Sequence, residues 1–476
     1  MKIAHSRLDF VDPHNCTDVK EERGVHEALF DSVVTRNRQL EIVPHLAQSW
    51  DVSDDARTWR FHLRDDVEFH NGERLDSAAV TYSIERMARP DLGETLGASG
   101  VYSQYLGDAT VTAEDTETVV ITLETPTADL LDILTEAYIV PPGSLDDGWE
   151  PAHTRPCGTG PFVFADWEPG DRLLARANES YFKGTPAYDE VVWTVVPEPS
   201  QRVARLRSGD VDLISSVPPD AVSTLEESSG TQTVSVRNPT CIIYLFNCRT
   251  GPFADHRVRQ AANLAVDTDA VIETVIDGAG EPIAGFLSPH HFGYDPDVAP
   301  YDYDPDAARE LLADAGYGDG VAVRLDSPAS YPDEAVELSE TVANYLEAVG
   351  LAVDINYVED REAYANMVRR SEIGDLCCFD SSPLSTYRVL QEKLSSERQG
   401  AWWQGYDNAT VNELLAKASR TTDAATREAL YRDCFNIVHD EAPWLFLYNP
   451  RNTFGLGGAA DGWQPRSDGC AVVGVE

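Results

Sequence analysis

The chain changes texture at Cys241–Asn247, a buried, strand-sized apolar run. Beyond it, helix-type segments follow one another at Asp255–Ala265, Asp269–Val275, Pro305–Ala315, Asp333–Val349, Glu362–Arg369, Val411–Ala418 and Ala424–His439. Strand-type runs Ala322–Leu325 and Val353–Tyr357 lie between them. Helices with one apolar stripe and strands with apolar faces bury those faces against each other, so this alternation predicts a doubly wound α/β domain. No repeat with a period of 20–50 residues is visible.

The first half reads differently. A short strand leads to the polar turn Asp12–Thr17 and then a helix, Glu21–Leu29, with Thr17 or Asp18 as N-cap. A strand-rich block follows. Trp59–Leu63 alternates apolar and polar residues, Val67–Phe69 continues it, and Asn71-Gly72 marks a tight turn. A helix is expected at Ser77–Met87, strands at Val111 and Thr118–Leu123, and a helix at Ala128–Leu134. Pro141-Pro142-Gly143 and Gly158–Pro161 punctuate a crossing between domains. Strands at Phe162–Ala165, Arg172–Ala175 and Tyr188–Val196 precede a helix, Ser200–Ser208, closed by Gly209, and a short strand, Val211–Ile214. A chain of 476 residues exceeds one core and implies two to four domains.

Charge narrows the setting. Lys and Arg number 37 against 81 Asp and Glu, a net charge of −44, and the acids are spread along the chain. The lysines are Lys2, Lys20, Lys183, Lys393 and Lys417; arginine supplies the rest of the positive charge. Dispersed like charge strains a compact state in dilute buffer. At about 1 M salt the screening length falls to roughly 3 Å and that repulsion fades. An acid-rich, lysine-poor composition resembles that of halophilic archaeal proteins. No basic stripe exists to neutralise phosphates, so nucleic acid is not an expected partner.

Signals for catalysis are absent. There is no G-x-S-x-G elbow, P-loop, G-x-G-x-x-G after a strand, H-E-x-x-H or calcium loop. The 8 cysteines include no C-x-x-C, and the adjacent Cys377 and Cys378 read as small buried apolar residues. Adjacent histidines rarely point at one ion, so His290-His291 reads as a surface or hinge pair, and Asp304-Pro305 reads as a helix start. No metal and no cofactor are expected. No run is long and apolar enough for a membrane span. After Met1 and Lys2 the chain goes straight to Ile3–Asp9, with no apolar leader stretch. Removal of a leader, a start site further upstream, or retention inside the cell all fit that beginning.

The ordered segments resemble one family closely. The most distinctive stretch runs from Leu46-Ala-Gln-Ser-Trp50 through Trp59-Arg-Phe-His-Leu63 to Asn71-Gly72. Gly158-Thr-Gly-Pro-Phe162, Arg176-Ala-Asn178-Glu-Ser-Tyr181-Phe, Arg205-Leu-Arg-Ser-Gly209-Asp-Val-Asp212, Pro252-Phe-Ala-Asp255-His-Arg-Val-Arg259-Gln-Ala, Ala265-Val-Asp267 and Ala442-Pro-Trp444 follow in order. Together they look like the peptide/nickel-type (family 5) solute-binding proteins of ABC importers.

That resemblance implies a type II periplasmic-binding-protein fold of α/β class, with two hinged lobes and an extra β-rich domain. Residues 1–41, 155–246 and 445–476 would form lobe one, 42–154 the extra domain and 247–444 lobe two. Such a protein closes on its ligand by hinge motion and presents it to a membrane permease. It is not an enzyme, works outside the cytoplasm at the cell surface, and is expected to be a monomer. A cytoplasmic binder or sensor of the same fold, and a binder of chelated nickel, stand as alternatives. By resemblance the ligand-lining turn contains Asn15, Cys16 and Thr17. A lobe-two loop, Cys378-Phe379-Asp380-Ser381-Ser382-Pro383-Leu-Ser385-Thr386-Tyr-Arg388, supplies the second group. Peptide-binding relatives place an Asp there for the ligand's ammonium; Asp380 lies one residue nearer the proline than in the common pattern. Ser381, Ser382, Ser385 and Thr386 add hydroxyls beside Phe379. Arg388 either forks onto a ligand carboxylate or pairs with a nearby acid. Tyr138, Tyr244 and Tyr331 complete the candidates. The expected cargo is a di- or oligopeptide or similar small polar solute.

Overall fold

The computed structural model describes residues 1–15, 20–92, 102–329 and 334–474, apart from the side chains of residues 150 and 151. Two compact units emerge, one from Met1–Val236 with Asn452–Glu476 and one from Arg237–Arg451.

The first unit is organised by strand Lys2–His5, which pairs in parallel with Glu190–Val195 on one side and Leu213–Ile214 on the other. Arg172–Ala177 and Phe162–Glu168 extend the sheet antiparallel, and the end of strand Trp444–Gly457 pairs with Leu213–Ile214. Successive side chains on a strand face opposite ways. Ile3 and Leu213 therefore join a core with Phe162, Trp193 and Phe454. Ala4 and Ile214 join another with Val203, Leu206 and Leu225. Strands buried on both faces tend to be apolar, as the buried Ile3, Ala4, Leu213 and Ile214 are. Helix Pro199–Ser208 starts on Pro199 and ends at Gly209, whose φ of 76° suits a residue without Cβ.

Within this unit the segment 42–154 builds its own four-stranded antiparallel sheet, in the order Ala47–Val52, Thr58–Leu63, Thr118–Thr122, Thr110–Ala113. Trp59, Phe61 and Leu63 are the buried alternate residues of Thr58–Leu63, as the sequence pattern requires. Helix Ser77–Met87 is capped by Asp76, which accepts from the Ala79 amide at 3.0 Å. Val67–Phe69, expected as strand, forms a tight hairpin instead. Phe69 N–H donates to Glu73, Leu75 N–H donates to Val67, and the bridge is confined to Glu68–Arg74 around Gly72. The segment is tied down at Asp31, a buried carboxylate that accepts from His45 (2.7 Å), Thr159 (2.8 Å) and Tyr181 (3.0 Å).

The second unit carries a mixed sheet in the order Leu351–Val358, Val321–Pro328, Leu376–Ser381, Cys241–Phe246, then the first part of Trp444–Gly457. Val321–Pro328 is parallel to both its neighbours. Cys241–Phe246 is antiparallel to both of its own, so the sheet of this α/β unit is mixed. Because both partners of Cys241–Phe246 lie in the second unit, that strand belongs there; the sequence division at 246/247 had placed it with lobe one. The described helices match the expected ones closely, including Pro305–Asp314 behind its Asp304 cap. Helix Ala424–Glu441 ends at Ala442, whose φ is 45°. Its last carbonyls accept from Arg259 Nε (3.0 Å, to Glu441) and Gln260 Nε2 (2.7 Å, to Asp440), so two of the family-like segments meet here.

Candidate functional site

Each unit holds one nominated segment, and the two are built on different principles. In the first unit the turn Asp12–Asn15 closes through two backbone amides. His14 N–H donates to Asp12 Oδ1 at 2.9 Å, and Asn15 N–H donates to Asp12 O at 2.9 Å. Arg86, from helix Ser77–Met87, forks onto the Asp12 carboxylate at 3.0 and 2.5 Å. Both side chains are about 7% exposed or less, so the pair is desolvated. Burial alone would raise the Asp12 carboxyl, but the Arg86 fork outweighs it and holds it below the usual range.

Arg86 Nη1 also lies 2.9 Å from His14 Nδ1. A guanidinium only donates, so Nδ1 carries no proton. His14 is thereby fixed as the Nε2–H tautomer, which donates to the Tyr138 carbonyl at 2.9 Å. Burial lowers the His14 pKa to about 4. The two preceding carbonyls are also occupied: His26 Nε2 donates to Val11 O (3.0 Å) and Trp149 Nε1 donates to Phe10 O (3.0 Å). Asn15 itself is half-buried at the end of this braced turn. Tyr138 packs among Phe30 and His26, and its hydroxyl has no hydrogen-bond partner among the described residues. Cys16, Thr17 and Tyr331 lie outside the described residues.

In the second unit, Leu376–Ser381 pairs with Cys241–Phe246 in the register Cys241 to Ser381 and Ile242 to Asp380. Phe379 and Asp380 are half-buried. Phe379 meets Trp402 at 5.1 Å between ring centres, and Arg369 lies over the Trp402 ring at 4.9 Å. Asp380 accepts from Ser382 Oγ and forms no ion pair among the described residues. Ser381 is 1% exposed, and its hydroxyl has no hydrogen-bond partner among the described residues. Ser385 and Thr386 serve the loop's own geometry. Ser385 caps the turn that follows, accepting from Arg388 N–H, and Thr386 Oγ1 donates to Phe292 O at 2.6 Å. Arg388 Nε donates to Glu392 Oε1 at 3.0 Å in a buried pair. Tyr244 sits fully buried in the core of the unit, its hydroxyl 2.9 Å from Ser339 Oγ.

The sequence reading missed the residues that hold these segments. Arg86 shares a helix stripe with Ala79 and Ser83, all buried; an arginine at i+7 on such a stripe is the available signal. His291 is buried rather than a surface residue. Its Nδ1 accepts from the Ser288 amide, so Nε2 donates to Pro383 O at 2.8 Å and fastens the loop. The described cysteines are all free, Cys377 and Cys378 fully buried among them. Among the described residues no His/Cys/Asp/Glu group could hold a metal ion.

The family described as "Bacterial extracellular solute-binding proteins, family 5 Middle" matches residues 41–378, and the chain belongs to it. The glutathione-binding protein of Pectobacterium atrosepticum is 28% identical over 94% of this chain and 87% of its own length. Heme-binding protein A of Haemophilus influenzae is 29% identical over 85% of this chain and 78% of its own. Among solved structures, the ABC transporter-associated periplasmic binding protein of Helicobacter pylori in complex with the peptide STSA covers 100% of this chain and 98% of its own. It is 24% identical, with a TM-score of 0.82, and shares the fold. The protein is the substrate-binding component of an ABC importer, and it works with a permease.

Proposed function

We propose that the solute is a di- or oligopeptide, or a similar small zwitterion, whose ammonium group is held at Asp380 and whose capture involves no covalent chemistry. One observation carries the reading: Asp380 is a half-buried carboxylate at a strand end, with a hydroxyl beside it and no cationic partner among the described residues. A carboxylate left uncompensated in a partly desolvated place is stabilised by an incoming cation. The glutathione-binding relative adds support, since glutathione is itself a tripeptide. Asn15 and the hydroxyls of Ser381 and Ser382 are the further proposed contacts. Arg388, already paired with Glu392, acts through the shape of the loop. Native mass spectrometry of the protein as purified, followed by calorimetric titration with trialanine and N-acetyl-trialanine, tests this. The free amine form binds and the acetylated form does not. A co-purified sugar, or equal binding of both forms, overturns it.

We also propose that the protein acts outside the cytoplasm in concentrated salt. The family is extracellular. The charge of −44 favours a medium in which repulsion between exposed carboxylates is screened. Thermal unfolding followed from dilute buffer to multimolar KCl shows the midpoint rising with salt; a flat or falling response removes the salt adaptation.

A further inference from the structure

We propose that the 42–154 segment acts as a brace that pre-shapes the turn bearing Asn15, with Arg86 as its positioning residue. The proposal rests on the reading that this turn meets the solute.

The turn and the segment are far apart in sequence, yet the Phe10 and Val11 carbonyls, the Asp12 carboxylate and both His14 ring nitrogens are held from outside the turn. Three of the holding groups belong to the segment: Arg86 on helix Ser77–Met87, the Tyr138 carbonyl, and the Trp149 indole. The fourth is His26. Arg86 does two jobs with one guanidinium. It fixes the Asp12 carboxylate, which caps the His14 amide, and it fixes the His14 tautomer, which anchors the turn to Tyr138. Replacing the planar fork by an ammonium keeps the charge but cannot serve both atoms in this geometry. A side chain that only filled space would not need a bidentate contact or a tautomer lock.

This arrangement gives the segment a role in binding although it contributes none of the nominated contact residues except Tyr138. A turn held in its bound shape before the solute arrives spares the ordering cost that a loose turn would add on binding. The charged and titratable groups around His14 are Asp12, Arg86 and His26, with Tyr138 packed against His26.

Two variants test the brace. Arg86→Lys removes the fork, and Trp149→Phe removes the donor to Phe10 O while keeping a ring in place. Hydrogen exchange at the His14 and Asn15 amides, and the ring nitrogen shifts of selectively labelled histidine, are read without solute. Trialanine affinity is read by calorimetry. Arg86→Lys is expected to speed exchange at both amides, to release His14 from its single tautomer, and to weaken trialanine binding about tenfold, the equivalent of roughly one charged hydrogen bond. Trp149→Phe is expected to speed exchange with a smaller loss of affinity. Unchanged exchange and an unchanged tautomer in Arg86→Lys overturn the brace. Faster exchange with unchanged affinity overturns its role in binding. Failure of the unaltered protein to bind trialanine, with the exchange and tautomer effects present, overturns the peptide reading and leaves the brace standing.

Discussion

The two nominated segments use polar groups in opposite ways. In the turn Asp12–Asn15 most polar groups are spent on one another: Arg86, Asp12, His14 and the Tyr138 carbonyl form a buried, nearly closed set, in which Arg86 Nε has no hydrogen-bond partner among the described residues. At the end of strand Leu376–Ser381, Asp380 lacks a cation and the Ser381 hydroxyl lacks a partner among the described residues, although Ser385, Thr386 and Arg388 in the loop that follows are engaged. A closed set fixes shape and offers little to a solute. An open set costs some stability and retains capacity to recognise one. The difference teaches that shape and selectivity are assigned to different parts of the chain, which lets relatives of one fold bind different cargo.

The sharpest way to break the comparison is to open the closed set. Arg86→Leu strands the Asp12 carboxylate in a buried place, and removing one partner of such a pair typically costs about 3–5 kcal/mol. Unfolding in urea should show that loss, whereas Asp380→Asn should leave the curve nearly unchanged. Comparable losses in both would erase the contrast.

Acid attacks the same set. His14 and His26 are both held neutral by burial, each with a pKa lowered to about 4. Between about 4 and the ordinary histidine value near 6.5, the unfolded chain binds protons that the folded one refuses. Stability therefore falls as pH drops through that window, by roughly 3 kcal/mol for each ring fully shifted. Below the folded value the loss levels off, apart from the carboxylates, which then titrate. Urea midpoints measured from pH 7 to 4 check this, and His26→Gln should flatten part of the slope.

What the sequence made legible follows from the range of the forces involved. The helix Ser77–Met87 and the Asp304-Pro305 start were readable because caps and apolar stripes act within a few residues. Strand Trp444–Gly457 escaped because its middle, Asn449 to Thr453, contains a proline and polar residues where the chain passes from one compact unit to the other. Strand Leu376–Ser381 escaped because Cys377 and Cys378 carry no alternation. Asp380 could be nominated from a family-like loop. For Arg86 the buried stripe it shares with Ala79 and Ser83 is the only local signal, and it does not name the partners, which lie 72 and 74 residues away.

The open loop should respond to binding more than to folding. Asp380→Asn keeps the shape and removes the charge. If the ammonium of a peptide sits there, the loss of one charged hydrogen bond, about 1.5–3 kcal/mol, weakens trialanine about ten- to a hundredfold in calorimetry. A change of less than a few-fold would move the ammonium elsewhere.

Ser381 gives the smallest effect and the finest test. Its hydroxyl is buried and without a hydrogen-bond partner among the described residues, so in the empty protein it carries a desolvation penalty with no return. Ser381→Ala removes that penalty, and the empty protein should be as stable or slightly more stable, by up to about 1 kcal/mol. The solute-bound protein should not share the gain if the solute supplies the missing partner. The substitution then weakens binding a few-fold while raising the unfolding midpoint of the empty form. Both readouts moving together, with stability and affinity lost in step, would mean that the hydroxyl already serves the fold. The loop would then be as closed as the turn.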